Sequence, residues 1–278
     1  MRIDSHQHFW NYNRKNFTWI DDSMQVIRKD FTPPMLKIIL DENNIDGCVA
    51  IQTAQTEEET NFLLAYAAEY DFIKGVVGWV DLQSDDVEQR LIYYKQFPLL
   101  KGLRHIVQGE DDPVFLQRPA FKNGISLLQK MNYTYDILIY PHQLKMAIDF
   151  VADFPEQKFV LDHLAKPYIK TKMIEEWKKD LLKLAAFENV SCKISGLVNE
   201  TDWKNYTPQD IFPYIETALE AFGINRVMFG SDWPVCLVAA DYTMVLNIVE
   251  EVFKSFSIEE QDNFFGNNAT KFYNLNTK

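Results

Sequence analysis

Cysteine is scarce in this sequence, and linker-like or long apolar segments are absent. The three cysteines, Cys48, Cys192 and Cys236, are far apart and form no Cys-x-x-Cys pair. An odd, scattered set of this kind argues against a disulfide framework and against a zinc–thiolate site, so we expect reduced core residues. No repeat, low-complexity tract or Gly/Ser linker divides the chain, and we predict a single domain spanning residues 1–278.

The N-terminus reads MRIDSHQHFW, with no long apolar stretch behind a basic start. No signal peptide is visible, and no window approaches the length of a membrane span. We therefore expect a cytoplasmic protein.

Basic residues are also in deficit. Lys and Arg number 28 against 40 Asp and Glu, which gives a formal net charge of −12. An acidic surface repels phosphate backbones and anionic lipids, so we expect neither nucleic acid nor a membrane as a partner. The expected partner is a small-molecule substrate, and a homo-oligomer is compatible with the sequence.

Eight short runs rich in Val, Ile and Phe have the composition of β-strands. They lie at Arg2–His8, Asp46–Thr53, Ile73–Leu82, Leu99–Val107, Tyr135–Tyr140, Lys158–Leu164, Asn189–Gly196 and Arg226–Trp233. Most of the segments between them have apolar residues at three-to-four spacing, which predicts helices. Residues 108–132 fit loop as well as helix, and residues 241 onward fit an eighth crossover plus a C-terminal extension. Strands joined by helical crossovers pair in parallel, and this number of them favours a single (β/α)8 TIM barrel, of α/β class.

All the histidines of the chain fall at or just after the end of a predicted strand. They are His6, His8, His105, His142 and His163. Asp232 follows the last strand in the same way. Because barrel enzymes carry their reactive groups at the C-terminal ends of the strands, this clustering predicts an active site there.

His6 and His8 are two residues apart in a strand, so both side chains lie on the same face. They could coordinate one divalent ion together with Asp232. In the alternative interpretation no metal is present, and the histidines bind and polarise the substrate directly.

Asp232 leaves an apolar strand just before Trp233-Pro234. Such an aspartate either caps the next helix or acts as a catalytic carboxylate, and the neighbouring histidines favour catalysis. Asp162 is more ambiguous. Alternation points it to the face opposite His163, where it would only tie the strand to a helix.

The fourth strand ends in Arg104 and His105, which have opposite parity, so one of them should face the pocket. A buried arginine needs an anionic or strongly accepting partner, either in a substrate or in a structural salt bridge.

Several aromatic and imidazole side chains near the strand ends could form the walls of a substrate pocket. These candidate substrate-binding residues are Trp10, Trp79, His105, Tyr140, His142 and Trp233.

Five motifs resemble the amidohydrolase superfamily, and more narrowly its branch of sugar-acid lactonases and pyrone-dicarboxylate hydrolases. They are DSHQHFW at Asp4–Trp10, FTWI at Phe17–Ile20, GLRH at Gly102–His105, DHLAKP at Asp162–Pro167 and FGSDWPV at Phe229–Val235. They extend from the first predicted strand to the last, so the resemblance covers nearly the whole chain.

The resemblance implies a barrel whose functional groups are His6, His8, His163 and Asp232. Binuclear members of the superfamily carry a bridging carboxylated lysine at the end of strand four, where this chain has Arg104 and His105. That departure favours at most one divalent metal, with zinc as the candidate, and the branch is thought to work with a weakly held metal or with none.

The activity that the resemblance implies is hydrolysis of a small lactone of the L-fucono or L-rhamnono type. Asp232 would act as general base, and His163 and Arg104 would stabilise the developing oxyanion. Two alternatives use the same residues: a metal-dependent decarboxylase of the same superfamily, and a barrel that binds a sugar acid without turnover.

The cysteine pattern makes a first prediction. Thiol titration of the denatured, unreduced protein should find all three cysteines free, because nothing in their spacing suggests a disulfide. A lower thiol count would contradict the expectation of a reduced, disulfide-free chain.

Overall fold

The computed structural model describes residues 1–276, and the predicted domain of residues 1–278 therefore has its last two positions outside the described residues. Each of eight strands pairs in parallel with the next one along the chain. The strands are β1 Ile3–Gln7, β2 Gly47–Ile51, β3 Ile73–Gly78, β4 Leu100–His105, β5 Thr134–Ile137, β6 Phe159–Leu161, β7 Val190–Ile194 and β8 Val227–Phe229. The predicted (β/α)8 barrel is confirmed, and β5 begins one residue earlier than the sequence indicated.

Helices lie outside the strands and follow them in alternation. They are α1 Pro33–Glu42, α2 Glu57–Glu69, α3 Val87–Tyr94, α4 Pro119–Lys130, α5 Leu144–Ala152, α6 Glu175–Ala185, α7 Pro208–Phe222, α8 Tyr242–Phe253, α9 Ile258–Asp262 and α10 Asn268–Tyr273. The segment 108–132, for which sequence allowed loop or helix, contains short turns followed by α4. The C-terminal extension predicted after the eighth crossover consists of α9 and α10.

The barrel closes between β1 and the chain that follows β8. The amide of His8 donates to the carbonyl of Trp233 at 2.7 Å, and the amide of Asp232 donates to the carbonyl of His6 at 2.8 Å. These backbone bonds fix the ends of the two segments that carry His6, His8 and Asp232.

Asp4 reinforces this closure from inside β1. Its carboxylate accepts hydrogen bonds from the Ser231 amide at 2.9 Å, the Ser231 hydroxyl at 2.6 Å and the Tyr242 hydroxyl at 3.1 Å. Burial raises the pKa of Asp4 to about 6, although these hydrogen bonds oppose the shift. Asp4 thus links β1, the segment after β8 and the start of α8.

The lower end of the barrel, where the strands begin, is filled by an apolar cluster that includes α10. Its members are Ile3, Val49, Ile51, Val77, Val160, Met228, Ala269, Phe272, Tyr273 and Leu275. The Tyr273 hydroxyl reaches into the barrel and donates to Asp136 at 2.7 Å. The C-terminal helix therefore closes the barrel and also contacts a charged group inside it.

All three cysteines are buried and free, as the sequence predicted. Among residues 1–276, no helix combines the length and the apolar character needed to cross a membrane.

Close packing at the first residues of the chain makes a second prediction. A Cβ on Gly266 would overlap the carbonyl oxygen of Met1, so Gly266→Ala must displace backbone. We expect a loss of about 1–3 kcal/mol in the free energy of unfolding, measured by urea denaturation. The matched control is Gly109→Ala, whose Cβ would meet nothing closer than 3.8 Å. Equal stability of the two variants would contradict the packing argument.

Candidate active site

Three imidazoles and one carboxylate meet at the upper end of the barrel. Oδ1 of Asp232 lies 3.2 Å from Nε2 of His8, 3.7 Å from Nε2 of His6 and 3.9 Å from Nε2 of His163. We call these four residues the His–Asp cluster. All four are buried. The structure thus brings together the four groups that the sequence singled out.

The backbone at both loop positions of the cluster is left-handed. Asp232 has a φ of 58° and His163 a φ of 53°, and the next three residues, 164–166, also have positive φ. These turns break the alternation of the preceding strands and direct both side chains towards the barrel axis. Conformations of this kind are uncommon for residues other than glycine and are found at functional sites.

The Asp232 carboxylate does not cap the short helical turn that follows it. Its Oδ2 accepts a hydrogen bond from the Asn199 side-chain amide at 2.6 Å, while Oδ1 faces the imidazoles. The helix-cap interpretation of Asp232 is therefore wrong. Asn199, which the sequence did not reveal, holds the carboxylate in place.

The orientation of the imidazoles is set at their Nδ1 atoms. Nδ1 of His8 lies 2.8 Å from the Ile51 carbonyl oxygen, which can only accept, so this nitrogen carries the proton. Nδ1 of His163 is hydrogen-bonded to the Ser195 hydroxyl at 2.8 Å. In His8 the Nε2 lone pair consequently faces the Asp232 carboxylate, and two acceptors at this distance need a proton or a metal ion between them.

Burial changes the ionisation of the cluster. It lowers the pKa of His163 to about 4, although Asp232 opposes the shift. Burial also lowers the pKa of His6 well below its ordinary value. Burial alone would raise the pKa of Asp232, but the adjacent His163 imidazole, the hydrogen bond with His8 and the His6 imidazole outweigh burial and leave this pKa far below its usual range. At neutral pH the cluster therefore combines an ionised carboxylate with neutral His6 and His163.

Below the cluster lies a second group, the charge network, formed by Arg104, Asp136, Asp162 and Lys193. Nζ of Lys193 lies 2.5 Å from Asp136 and 3.0 Å from Asp162. Nη1 of Arg104 donates to Asp162 at 2.9 Å. Burial raises the pKa of Asp136 to about 6, whereas Lys193 and other nearby cations overcome the effect of burial and keep the pKa of Asp162 well below its ordinary value.

The charge network touches the cluster at His6. Nδ1 of His6 lies 3.3 Å from Asp162 and 3.2 Å from Lys193, and Nε2 lies 3.3 Å from Nη1 of Arg104. Asp162 favours the proton on Nδ1, which leaves the Nε2 lone pair to accept from Arg104. The interpretation of Asp162 as a simple tie between strand and helix is therefore wrong, because the left-handed turn at His163 ends the alternation on which it rested.

Lys193 and Asp136 were not identified from the sequence. A signal was present, since each is a charged residue inside an apolar strand run, and a buried charge needs a partner inside the protein. The two positions lie on different strands 57 residues apart, so their pairing appears only in the fold.

Arg104, rather than His105, faces the barrel interior. The His105 ring stacks on Phe115 at 4.6 Å and its Nε2 lies 2.7 Å from Glu110. Trp79 donates to His105 at 3.3 Å. The predicted substrate-binding residues His105 and Trp79 thus lie together behind β4, against the segment that leads to α4.

The other predicted substrate-binding residues fall into two sets. Trp10 and Trp233 are buried in the aromatic core, where Trp233 packs edge-on against Phe31 at 5.1 Å. Tyr140 and His142 are exposed on the loop after β5 and stack at 6.0 Å. The first set supports the site from behind, and the second lies at its rim.

Two sets of side chains in the described residues have metal-ligand geometry. One ligand atom from each of His6, His8 and Asp232 lies within 4.8 Å of the others, and the same holds for His6, Asp162 and His163. The first set offers nitrogen and oxygen donors of the type that zinc prefers. In the second set, Lys193 and Arg104 already lie against Asp162 and His6, so it suits a metal less well.

Comparison with known proteins agrees with this geometry. A family model described as amidohydrolase matches residues 3–275. An L-fucono-1,5-lactonase of Burkholderia multivorans is 37% identical over 99% of this chain and 96% of its own length. An L-fucono-1,5-lactonase of Burkholderia ambifaria is 32% identical with the same coverage of both chains. The crystal structure of an amidohydrolase from Burkholderia multivorans with bound zinc superposes with a TM-score of 0.96 at 37% identity, covering 99% of this chain and 100% of that one. The chain belongs to the amidohydrolase family.

Proposed function

We propose that this chain hydrolyses a sugar-acid lactone of the L-fucono or L-rhamnono type by attack of water on the lactone carbonyl. The observation that carries the proposal is the ionised Asp232 carboxylate, held by Asn199 and surrounded by three imidazoles at the C-terminal ends of the strands. The names of the two Burkholderia relatives support the choice of substrate class.

In this mechanism Asp232 is the general base. Its Oδ1 faces the space between the imidazoles, where an attacking water can donate a proton to it. Asn199 fixes Oδ2, so the carboxylate cannot rotate away from that position. The proton taken from water is then available for the ring oxygen that leaves when the lactone opens.

Arg104 and His163 are proposed to stabilise the negative charge that develops on the carbonyl oxygen. Arg104 supplies a permanent positive charge from below, and its position is fixed by Asp162. His163 lies on the other side of Asp232, with its Nδ1 held by Ser195. Fixed donors in a site sheltered from water are effective for this purpose because they need no reorganisation during the reaction.

His6, His8 and Asp232 are the residues proposed to hold a single divalent ion, with zinc as the candidate because a relative 37% identical contains it. When bound, such an ion would supply Lewis-acid activation of water or of the carbonyl. The strand β4 lysine, Lys101, lies at the lower end of the barrel and donates to Asn274, so it offers no bridging ligand for a second ion. Arg104 and a metal ion would compete for Nε2 of His6, and this competition favours weak metal binding.

The proposed activity is tested by following proton release with a pH indicator over a panel of sugar-acid lactones. We expect turnover of L-fucono- and L-rhamnonolactones above that of lactones without hydroxyl groups. Absence of turnover over the whole panel would refute the proposal.

Asp232→Asn tests the base. Asparagine keeps the shape and one acceptor oxygen but cannot take a proton at neutral pH, so kcat should fall about 10²–10⁴-fold. Metal content is measured on the same sample, since Asp232 is also a proposed ligand. The control is Asp241→Asn, because Asp241 caps α8 through a bond to the Met244 amide and asparagine caps equally well. Normal kcat with normal metal content in Asp232→Asn would move the role of base to a histidine.

Arg104→Gln tests the competition for His6. Removing the guanidinium frees the Nε2 lone pair and takes a positive charge away from the site, so zinc should bind about tenfold or more tightly. Affinity is measured by calorimetry on the metal-free protein, with the surface variant Arg118→Gln as control. Unchanged or weaker zinc affinity in Arg104→Gln would show that the guanidinium does not oppose the metal.

A further inference from the structure

A cavity of about 600 Å³ lies beside the His–Asp cluster, between the chain that follows β1 and the loop that joins β2 to α2. Its lining consists mainly of aromatic rings and amide side chains. Among these side chains are Trp10, Asn11, Asn13, Asn16, Trp19 and Gln55. We call it the aromatic cavity.

Trp19 provides an open aromatic surface in this cavity. Its side chain is 40% exposed, which is unusual for the largest apolar residue, and its ring meets Trp10 edge-on at 6.0 Å and 89°. Trp10 is itself fixed, since its indole N–H donates to the Lys29 carbonyl at 2.9 Å. A supported aromatic ring of this kind offers a face against which a ligand can stack.

The polar groups of the aromatic cavity are amides with donors to spare. The Gln55 oxygen accepts from the Ile106 amide at 2.7 Å, and the Asn13 oxygen accepts from the Asn16 amide at 2.8 Å. Both bonds use the side-chain oxygens and leave the NH₂ groups for a ligand. Amide donors around an aromatic face match a molecule that has an apolar side and a rim of hydroxyl groups.

The charged residues of the lining argue against an anionic ligand in the aromatic cavity. The described lining contains no lysine or arginine, and its two acids are Glu58 and Glu59. Glu59 is already engaged, because it accepts from the Thr53 amide at 2.8 Å and from the Thr53 hydroxyl at 2.6 Å. The charges of the lining therefore disfavour an anionic ligand and are compatible with an uncharged one.

The aromatic cavity adjoins the proposed catalytic centre but is not part of it. Trp10 lies between them, with its ring 6.5 Å from that of His8. The two sites are also linked through β2, because Nδ1 of His8 is hydrogen-bonded to the Ile51 carbonyl and Thr53, two residues further along the chain, lines the cavity. A group bound against Trp19 would thus lie beside the proposed catalytic centre and be separated from it by the ring of Trp10.

We propose that the aromatic cavity is a subsite for a neutral pyranose ring, stacked on Trp19 and held at its hydroxyls by the amides of the loop after β1 and by Gln55. This inference rests on the proposed lactonase function and extends it with a second sugar-binding position beside the catalytic centre. The acid released at Asp232 and the ring held at Trp19 occupy separate places.

The experiment is calorimetric titration of the intact protein with methyl α-L-fucopyranoside, a pyranose that has no lactone to hydrolyse. Wild type should bind it, and Trp19→Ala should weaken binding about tenfold through loss of the stacking face. The matched control is Tyr93→Ala on α3, an aromatic residue of similar exposure (44%) outside the cavity, which should bind as wild type does. No binding to wild type, or equal binding to Trp19→Ala, would overturn the proposal.

A second titration is made in the presence of saturating L-fuconate, the expected product. Simultaneous binding supports a separate subsite, whereas displacement of the glycoside by the product would overturn it. The lactone panel distinguishes the two proposals. A chain that binds the glycoside without hydrolysing any lactone contradicts the lactonase function, and a chain that hydrolyses lactones but does not bind the glycoside contradicts the subsite alone.

Discussion

The ammonium of Lys193 lies inside the barrel between the carboxylates of Asp136 and Asp162, at 2.5 and 3.0 Å. All three side chains are fully buried, so neither carboxylate has water to stabilise its charge. Removing one partner of such a buried pair typically costs about 3–5 kcal/mol, because it leaves a charge unpaired. Lys193 thereby allows Asp162 to be ionised where it holds Arg104 and orients His6.

The side chains of the His–Asp cluster are likewise held by buried partners. The Nδ1 side of each histidine is occupied by a fixed partner: the Ile51 carbonyl for His8, the Ser195 hydroxyl for His163 and the charge network for His6. The Nε2 atoms are consequently directed at Asp232. Hydrogen-bond partners at Nδ1 fix the orientation of histidine rings both in metal sites and in acid–base sites. This arrangement is therefore suited to proton transfer as well as to metal binding.

Sequence reasoning located the barrel and the four cluster residues because strand periodicity and the position of polar residues at strand ends are local signals. It did not find Lys193, Asp136 or Asn199, whose roles depend on which strands become neighbours around the barrel axis. It also misread Asp162, since strict alternation assumes that the strand continues, whereas the left-handed turn at His163 ends it. The choice between Arg104 and His105 likewise required the fold, because the His105 ring stacks on Phe115, in the segment that leads to α4.

The contact between Tyr273 and Asp136 has a consequence for the order in which the protein matures. Synthesis proceeds from the N-terminal to the C-terminal end of a chain, so Asp136 and Lys193 are made long before Tyr273. In a barrel to which α10 has not yet docked, the lower end would be open to water and the Asp136 carboxylate would lack its tyrosine partner. The charge network beneath the His–Asp cluster thus acquires its final surroundings only when nearly the whole chain has been made.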